Sequence, residues 1–205
     1  MLKIYLARHG QDQDNANGIL NGHRDMPLTE LGIEQTKELV KKIKTAGITF
    51  AKIYSSPLQR VYESAEIISA ALAVDKIEIM PELIERDFGI MTGKSVSLIE
   101  KMCAPDIIKT PTVTYFLHPE NGESFPQLLD RARLVLDKIE KRHKNGNILL
   151  MTSGDIGKMI YAAHYNLDWE DVLSNFHFGN SDLLLLSDKK SSIDPHVFNI
   201  RQYNG

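Results

Sequence analysis

The sequence lacks the features that mark secreted and membrane-spanning proteins. Its 205 residues include a single cysteine, Cys103, so no disulfide can form within the chain and a reducing compartment fits best. No apolar run reaches the roughly 18 residues that cross a bilayer. The apolar stretch at the amino terminus is too short for a signal peptide. We therefore expect a cytoplasmic protein with no membrane partner.

The chain also has no excess of basic residues over acidic ones. Lys and Arg number 24 against 27 Asp and Glu, which gives a formal net charge of −3. This balance offers no general attraction to nucleic acid or to an anionic membrane. Hydrophobic residues make up 42% of the chain and charged residues 25%, which is the composition of an ordinary folded domain. We expect no nucleic-acid partner, and any basic site must be a local cluster.

Hydrophobic periodicity predicts an α/β fold. Short apolar runs are typical of buried strands, and they occur at 2–7, 52–55, 77–80, 147–152, 183–187 and 197–200. Amphipathic patterns between them predict helices, at 29–46, 58–72, 124–145 and 155–164. The second-to-last of these helices begins with a capping box at Ser124. Strands that alternate with helices predict one domain over residues 1–205, with three α/β/α layers and a mostly parallel central sheet.

Two long segments contribute little to the predicted core. The stretch 10–25 is polar and rich in Asn and Gly, and a loop of this length inside a compact domain is usually functional. The stretch 92–120 contains three prolines and is predicted to be irregular. We expect it to form a cover segment over a site.

Polar side chains follow several of the predicted strands. Arg8 and His9 end the first strand, Arg60 follows the second, and Ser153 follows a later one. Because ligands bind beyond the carboxyl ends of parallel strands, these side chains are expected to converge on one pocket. Guanidinium groups offer bidentate donors to phosphoryl oxygens, and imidazole can attack phosphorus to form phosphohistidine. Glu85, after the third strand, is the candidate acid for a leaving group.

Five ordered motifs resemble those of the histidine phosphatase superfamily, which has the phosphoglycerate mutase-like fold. They are Arg-His-Gly at 8–10 with Asn15, Gly-x-x-Asp-x-Pro-Leu-Thr at 22–29, Ser-Ser-Pro-Leu-x-Arg at 55–60, Glu85 with Phe88-Gly89, and Gly-Glu-Ser at 122–124. Arg-His-Gly alone is a weak signal, but five motifs in order over nearly the whole chain are specific. The chain is identified as a phosphatase-type member of the larger branch.

The resemblance implies a two-step phosphoryl transfer that needs no metal and no other cofactor. His9 is the expected nucleophile and carrier of the phosphoryl group. Arg8, Arg60 and Asn15 are expected to hold the phosphoryl oxygens. Glu85 is expected to protonate the leaving group and then to activate the water that hydrolyses phosphohistidine.

Further binding residues follow from the same resemblance. Gly154 is expected to contribute to phosphate binding. Gly22, Glu123 and Ser124 are expected to contact the substrate, although the capping box already explains Ser124. The expected partner is a small phosphorylated substrate.

One position departs from the pattern of the superfamily. A second histidine is expected where this chain has Ser153. Serine is a shorter, neutral donor, and by analogy with the loss of one oxyanion donor it should slow turnover about 10²–10³-fold. The sequence leaves open whether this serine is natural divergence or an introduced change. It also leaves open whether His177 supplies the missing imidazole.

The function expected from these residues is that of a phosphomonoesterase acting through phosphohistidine on a small metabolite, slowed by Ser153. One alternative is a pseudoenzyme that binds a phosphorylated ligand without turnover. A phosphoglycerate mutase is less favoured, because mutases of this family carry a larger basic insertion after the acidic site. Between 93 and 119 this chain has only the lysines Lys94, Lys101 and Lys109, and no arginine.

Overall fold

A computed structural model describes residues 1–187 and 195–198 of the chain. Strands in these residues are Leu2–Arg8 (β1), Lys52–Ser55 (β2), Ile77–Ile79 (β3), Ile107–Lys109 (β4), Thr114–Phe116 (β5), Gly146–Thr152 (β6) and Leu183–Leu186 (β7). A five-stranded sheet has the order β3-β2-β6-β1-β7. Its strands are parallel except β7, which is antiparallel to β1. The predicted mostly parallel sheet is confirmed.

Helices connect these strands and cover both faces of the sheet. They are Gln13–Ala16 (α1), Glu30–Thr45 (α2), Gln59–Leu72 (α3), Ile99–Cys103 (α4), Phe125–Arg142 (α5), Gly154–Tyr165 (α6) and Trp169–Asn175 (α7). Short 3-10 turns lie at Pro81–Leu83, Gly89–Met91 and Val96–Leu98.

The alternation of side chains along β1 explains the three layers. Ile4 and Leu6 pack into an apolar core with α5, α6 and α7. Tyr5 and Ala7 point to the opposite face and pack into a second core with α2 and α3. Because successive residues of a strand face opposite sides, a strand buried on both faces reads as a continuous apolar run. The predicted α/β/α arrangement is confirmed.

Local chemistry fixes where two of the long helices begin. The Thr29 hydroxyl accepts the Gly32 N–H at 3.0 Å at the start of α2. Ser124 and Gln127 form a reciprocal capping box at the start of α5. Each cap satisfies N–H groups that have no partner inside the helix.

The segment 92–120 is more ordered than the sequence predicts. It contains a 3-10 turn, α4 and an antiparallel hairpin of β4 and β5, in which Ile108 lies opposite Tyr115. A small separate core holds it together, made of Phe88, Met91, Ile99 and Phe116. The prediction of irregular structure was wrong because three-residue strands are too short to show a hydrophobic period.

Other differences from the predicted elements are small. The polar stretch 10–25 contains the four-residue helix α1, and α7 was not predicted. The strand predicted at 197–200 lies partly outside the described residues. Within them, Val197 donates its backbone N–H to the Leu183 carbonyl at 2.8 Å. In the described part of the chain, no helix is long and apolar enough to cross a bilayer.

Candidate active site

The ends of two neighbouring parallel strands bring the predicted nucleophile to the edge of the sheet. Arg8 of β1 lies opposite Thr152 of β6. The next residue, His9, donates its backbone N–H to the Thr152 carbonyl at 3.1 Å. Ser153 follows Thr152 directly, so His9 and Ser153 leave adjacent strands side by side. This is the convergence that the sequence predicted for these two residues.

The imidazole of His9 is buried and oriented. Its Nδ1 lies 2.6 Å from the Gly10 carbonyl oxygen, which only accepts hydrogen bonds, so Nδ1 carries the proton. The Arg60 Nε–H donates to Nε2 of His9 at 3.3 Å. Burial, followed by the charges of Arg60 and Arg8, lowers the pKa of His9 well below its ordinary value. The ring is therefore neutral at physiological pH, with its lone pair on Nε2.

Arg60 is held by backbone carbonyls of the polar stretch 10–25. It lies in the first turn of α3 and is fully buried. One terminal nitrogen donates to the Arg24 carbonyl at 2.7 Å and the other to the Gly22 carbonyl at 2.9 Å. Gly22 adopts φ +48, and a Cβ there would lie 3.1 Å from the Phe88 ring. The structure thus places Gly22 as a support for Arg60.

Arg8 and Ser153 both present polar atoms with no partner. One terminal nitrogen of Arg8 donates to the Phe178 carbonyl at 2.8 Å. Among the described residues, however, Arg8 Nε and Ser153 Oγ are buried and make no hydrogen bond. A Cβ built on Gly154 would lie 3.5 Å from Arg8 Cζ, so the chain passes close to the guanidinium. Buried polar atoms without partners are rare and call for an explanation.

Asn15 is linked to His9 through a second asparagine. The Asn15 Oδ1 accepts the Asn180 side-chain N–H at 3.3 Å. The same Asn180 nitrogen donates to the His9 carbonyl at 3.1 Å. Asn15 is thus connected to the backbone of His9, and contact of its side chain with phosphoryl oxygens stays a prediction.

Glu85 lies under the amino terminus of α6. Its Oε2 accepts the Asp155 N–H at 3.2 Å, and its Oε1 accepts the N–H groups of Ile156 at 3.2 Å and Arg86 at 2.8 Å. Burial, followed by the charge of Asp155, raises the pKa of Glu85, while the N–H donors and Arg60 lower it. The raised pKa favours a protonated carboxyl, which is the form a general acid needs.

Glu123 and Ser124 are engaged away from His9. Glu123 pairs with Arg131 at 2.6 Å, and Arg131 also donates to the Glu85 carbonyl at 3.2 Å. Ser124 caps α5 through Gln127. Glu123 also lines a cavity of about 370 Å³. The structure therefore gives both residues structural partners, and substrate contact by their side chains stays a prediction.

A carboxylate that was not predicted from the sequence lies beside His9. Asp12 is fully buried, and its Oδ2 lies 3.8 Å from His9 Nδ1 and 3.4 Å from Arg60 Nε. Burial raises the pKa of Asp12, and the charge of Arg60 opposes that effect. The signal available in the sequence was helix-capping chemistry, since an Asp three residues before Asn15 is a typical N-cap.

A buried lysine was also missed. Lys158 of α6 is 6% exposed, hydrogen bonds to the Tyr115 hydroxyl of the hairpin, and has its ammonium 4.6 Å from the centre of that ring. Burial lowers the pKa of Lys158 to about 8, while Asp155 opposes and Arg8 adds to that effect. A lone lysine among the apolar residues of α6 was the available signal.

Within the described residues, the ring of His177 makes no hydrogen bond to His9 or Ser153. Its side chain is exposed, whereas Ser153 is fully buried. His177 precedes Phe178, whose carbonyl holds Arg8. It thus lies in the neighbouring loop with its ring at the surface.

Comparison with known proteins decides the family. The description "Histidine phosphatase superfamily (branch 1)" fits residues 4–200. The chain belongs to this superfamily. The resemblance of its five motifs is thereby confirmed.

Relatives within the superfamily include mutases and phosphatases. A 2,3-bisphosphoglycerate-dependent phosphoglycerate mutase of Parvibaculum lavamentivorans is 28% identical over 191 residues, covering 91% of each chain. A metal-independent phosphoserine phosphatase of Arabidopsis thaliana is 29% identical over 162 residues, covering 78% of this chain and 67% of the relative. The structure of a phosphoserine phosphatase from Entamoeba histolytica in complex with 3-phosphoglyceric acid superposes with a TM-score of 0.71, at 23% identity and 90% coverage of both chains.

The site of this histidine phosphatase superfamily member contains two arginines. The charges of Arg60 and Arg8 both act on His9. Over residues 1–187 and 195–198, no group of three or more His, Cys, Asp or Glu side chains is arranged to hold a metal ion.

Proposed function

We propose that the protein is a phosphomonoesterase that acts through a phosphohistidine at His9 on a small phosphorylated metabolite. The observation that carries this proposal is a neutral imidazole at the same strand ends as two buried polar atoms, Arg8 Nε and Ser153 Oγ, which have no hydrogen-bond partner among the described residues. The oxygens of a phosphoryl group are acceptors of the kind that both atoms need. Membership of the histidine phosphatase superfamily supports the same chemistry.

The first step transfers the phosphoryl group to the protein. Nε2 of His9 attacks phosphorus, and the bond from phosphorus to the ester oxygen breaks. The proton stays on Nδ1, where it is hydrogen-bonded to the Gly10 carbonyl, so the ring becomes positively charged. Glu85 gives its proton to the departing oxygen, and Arg8 and Arg60 stabilise the charge on the phosphoryl oxygens.

The second step returns the protein to its starting state. Glu85, now a carboxylate, takes a proton from water while the water oxygen attacks phosphorus. The bond between phosphorus and Nε2 of His9 breaks, and inorganic phosphate leaves. His9 is again neutral and Glu85 is again protonated, so the same two groups serve both steps.

Ser153 sets the rate of both steps. A neutral hydroxyl offers one donor to the phosphoryl oxygens, without the positive charge of an imidazolium. Removal of one preorganised donor from a comparable site slows catalysis about 10²–10³-fold. We therefore propose a slow phosphatase whose phosphohistidine persists longer than it would beside a second histidine.

The mutase is the second candidate, because the Parvibaculum relative carries that name. A mutase must keep the phosphoryl group on His9 away from water until it passes back to substrate. The cover segment offers three lysines for this task, and Lys109 is already paired with Glu100 at 2.7 Å on the surface. This scarcity of cations favours transfer to water, and the phosphatase names among the relatives support a small phosphorylated substrate.

Release of phosphate from p-nitrophenyl phosphate tests the proposal. We expect slow turnover by the native chain and none by His9→Ala. The matched control is His118→Ala, which removes an exposed histidine paired with Asp106 and should leave turnover intact. Phosphate binding without turnover in the native chain would instead support a pseudoenzyme. With a phosphoglycerate as substrate, transfer of the phosphoryl group from one hydroxyl position to the other, faster than release of inorganic phosphate, would support the mutase.

A further inference from the structure

Asp12 is a buried charge at the nucleophile for which the proposed mechanism has no use. Its side chain is fully buried. Its Oδ2 is 3.8 Å from Nδ1 of His9 and 3.4 Å from Nε of Arg60. A buried carboxylate is costly unless it is paired and hydrogen-bonded.

The orientation of this carboxylate is fixed from both sides. Oδ1 accepts the backbone N–H of Asn15 at 2.9 Å, which makes Asp12 the N-cap of α1. Oδ2 accepts the side-chain N–H of Asn21 at 2.9 Å. The backbone of Asp12 is also bridged to Leu28. Oδ2 therefore faces His9 and Arg60 without freedom to turn away.

The charge on the His9 ring changes during the proposed reaction. Attack through Nε2 leaves the proton on Nδ1, so the phosphorylated ring carries a positive charge. The other charged groups that face the ring are Arg8 and Arg60, and both repel that charge. A carboxylate 3.8 Å from Nδ1 attracts it, as the buried aspartate of a serine protease stabilises its imidazolium.

We propose that Asp12 is a positioning residue that holds Arg60 against His9 and balances the positive charge of the phosphorylated imidazole. This inference rests on the proposed function, since the charge it balances arises from phosphoryl transfer to His9. Asp12 makes no contact with the phosphoryl group in this account. It acts through the two residues that do.

A purely structural role as helix cap makes a different prediction. Asparagine caps helices as well as aspartate does, so Asp12→Asn keeps the cap and the size of the side chain. It removes the charge and the acceptor that receives the Asn21 N–H. A matched control is Asp14→Asn, which neutralises a second buried acid two residues along. Asp14 pairs with Arg24, and its charge acts on Arg60 less than the charge of Asp12 does.

The test combines the rate of phosphoenzyme formation with the affinity for inorganic phosphate. In a rapid-quench experiment with p-nitrophenyl phosphate, we expect Asp12→Asn to form phosphohistidine about 10–10²-fold more slowly than the native chain. Calorimetry should show that Asp12→Asn binds phosphate with unchanged or higher affinity, because the substitution removes a negative charge close to the phosphate site. Asp14→Asn should slow phosphorylation much less than Asp12→Asn does, because its charge acts less on Arg60. An Asp12→Asn rate equal to the native one, or a parallel loss of phosphate binding, would overturn the inference.

A measurement without turnover separates this inference from the proposed function. NMR titration of the His9 ring, assigned with His9→Gln, should show a lower His9 pKa in Asp12→Asn than in the native chain, because a neighbouring anion is gone. If the native chain forms no phosphohistidine, the proposed function fails whatever the titration shows. If the His9 titration is the same in both proteins, the charge-balancing role of Asp12 fails even when the enzyme is active.

Discussion

The Nε–H of Arg60 donates to Nε2 of His9 at 3.3 Å, so a guanidinium lies in the direction of the proposed attack. Both groups are buried, and the charge of Arg60 helps to keep His9 neutral. In the proposed mechanism, a phosphoryl group that enters between them receives a lone pair from His9 and a hydrogen bond from Arg60. The contact between the two side chains therefore points the lone pair of His9 along the proposed direction of attack.

Arg60→Lys tests whether the shape of this cation matters as well as its charge. Lysine keeps the charge but loses the planar donors that reach the Gly22 and Arg24 carbonyls. We expect kcat on p-nitrophenyl phosphate to fall about 10²-fold or more. Circular dichroism should first show that the variant folds. Native turnover by a folded Arg60→Lys would show that the fixed guanidinium is dispensable.

Glu85→Gln should affect substrates according to their leaving groups. Glutamine cannot supply a proton, so kcat on an alkyl phosphate should fall about 10²–10⁴-fold. The fall should be smaller for p-nitrophenyl phosphate, whose leaving group departs without protonation. Because burial raises the pKa of Glu85, the native rate on alkyl phosphates should decline only as pH rises through that raised value. Equal losses on both substrates would count against Glu85 as the acid.

Ser153→His should restore the missing imidazole. The site otherwise contains the proposed nucleophile, two arginines and the proposed acid, and Ser153 Oγ is buried without a partner among the described residues. We expect kcat to rise about 10²–10³-fold with a much smaller change in KM, because the gain falls mainly on the transition state. Steady-state kinetics beside Ser153→Ala give the comparison. An unchanged kcat would mean that Ser153 stabilises the transition state as well as a histidine does.

Lys158 should make stability depend on pH in a defined window. Its pKa is about 8 in the folded chain and about 10.4 when unfolded, so the unfolded chain holds more protons between these values. Stability contributed by this group therefore rises with pH from about 8 to about 10.4, by roughly 3 kcal/mol. Thermal unfolding of Lys158→Met should lack this rise, whereas exposed Lys41→Met should keep it. If stability changed with pH in the same way in the native chain and in Lys158→Met, the lowered pKa of Lys158 would be contradicted.

Residues at the ends of strands were predictable from the sequence. A continuous apolar run ending in Arg8 and His9 defines both a buried strand and the polar group at its carboxyl end. The same logic placed Arg60 and Ser153, because parallel strands bring their ends to one edge of the sheet. The helix N-caps at Thr29 and Ser124 were also predictable, because they depend only on the neighbouring residues in the sequence.

Residues whose role depends on tertiary packing were not predictable. Asp12 and Lys158 meet their partners only after α1 and α6 have packed, so no periodicity marks them. In the hairpin, each of the strands β4 and β5 has only three residues. Its stability comes from the core around Phe88 and Phe116. Glu123 could be assigned to substrate by motif, yet its contact with Arg131 required the folded chain.

Detection of phosphate on His9 tests the central claim most directly. The native chain should be mixed with p-nitrophenyl phosphate, quenched in alkali, which preserves phosphohistidine, and digested for peptide mass spectrometry. The account predicts one phosphoryl group on the peptide that contains His9, labile to acid, longer-lived than in Ser153→His, and absent from His9→Ala. Turnover with no phosphorylated peptide in any of the three proteins, or phosphate on another residue, would contradict it.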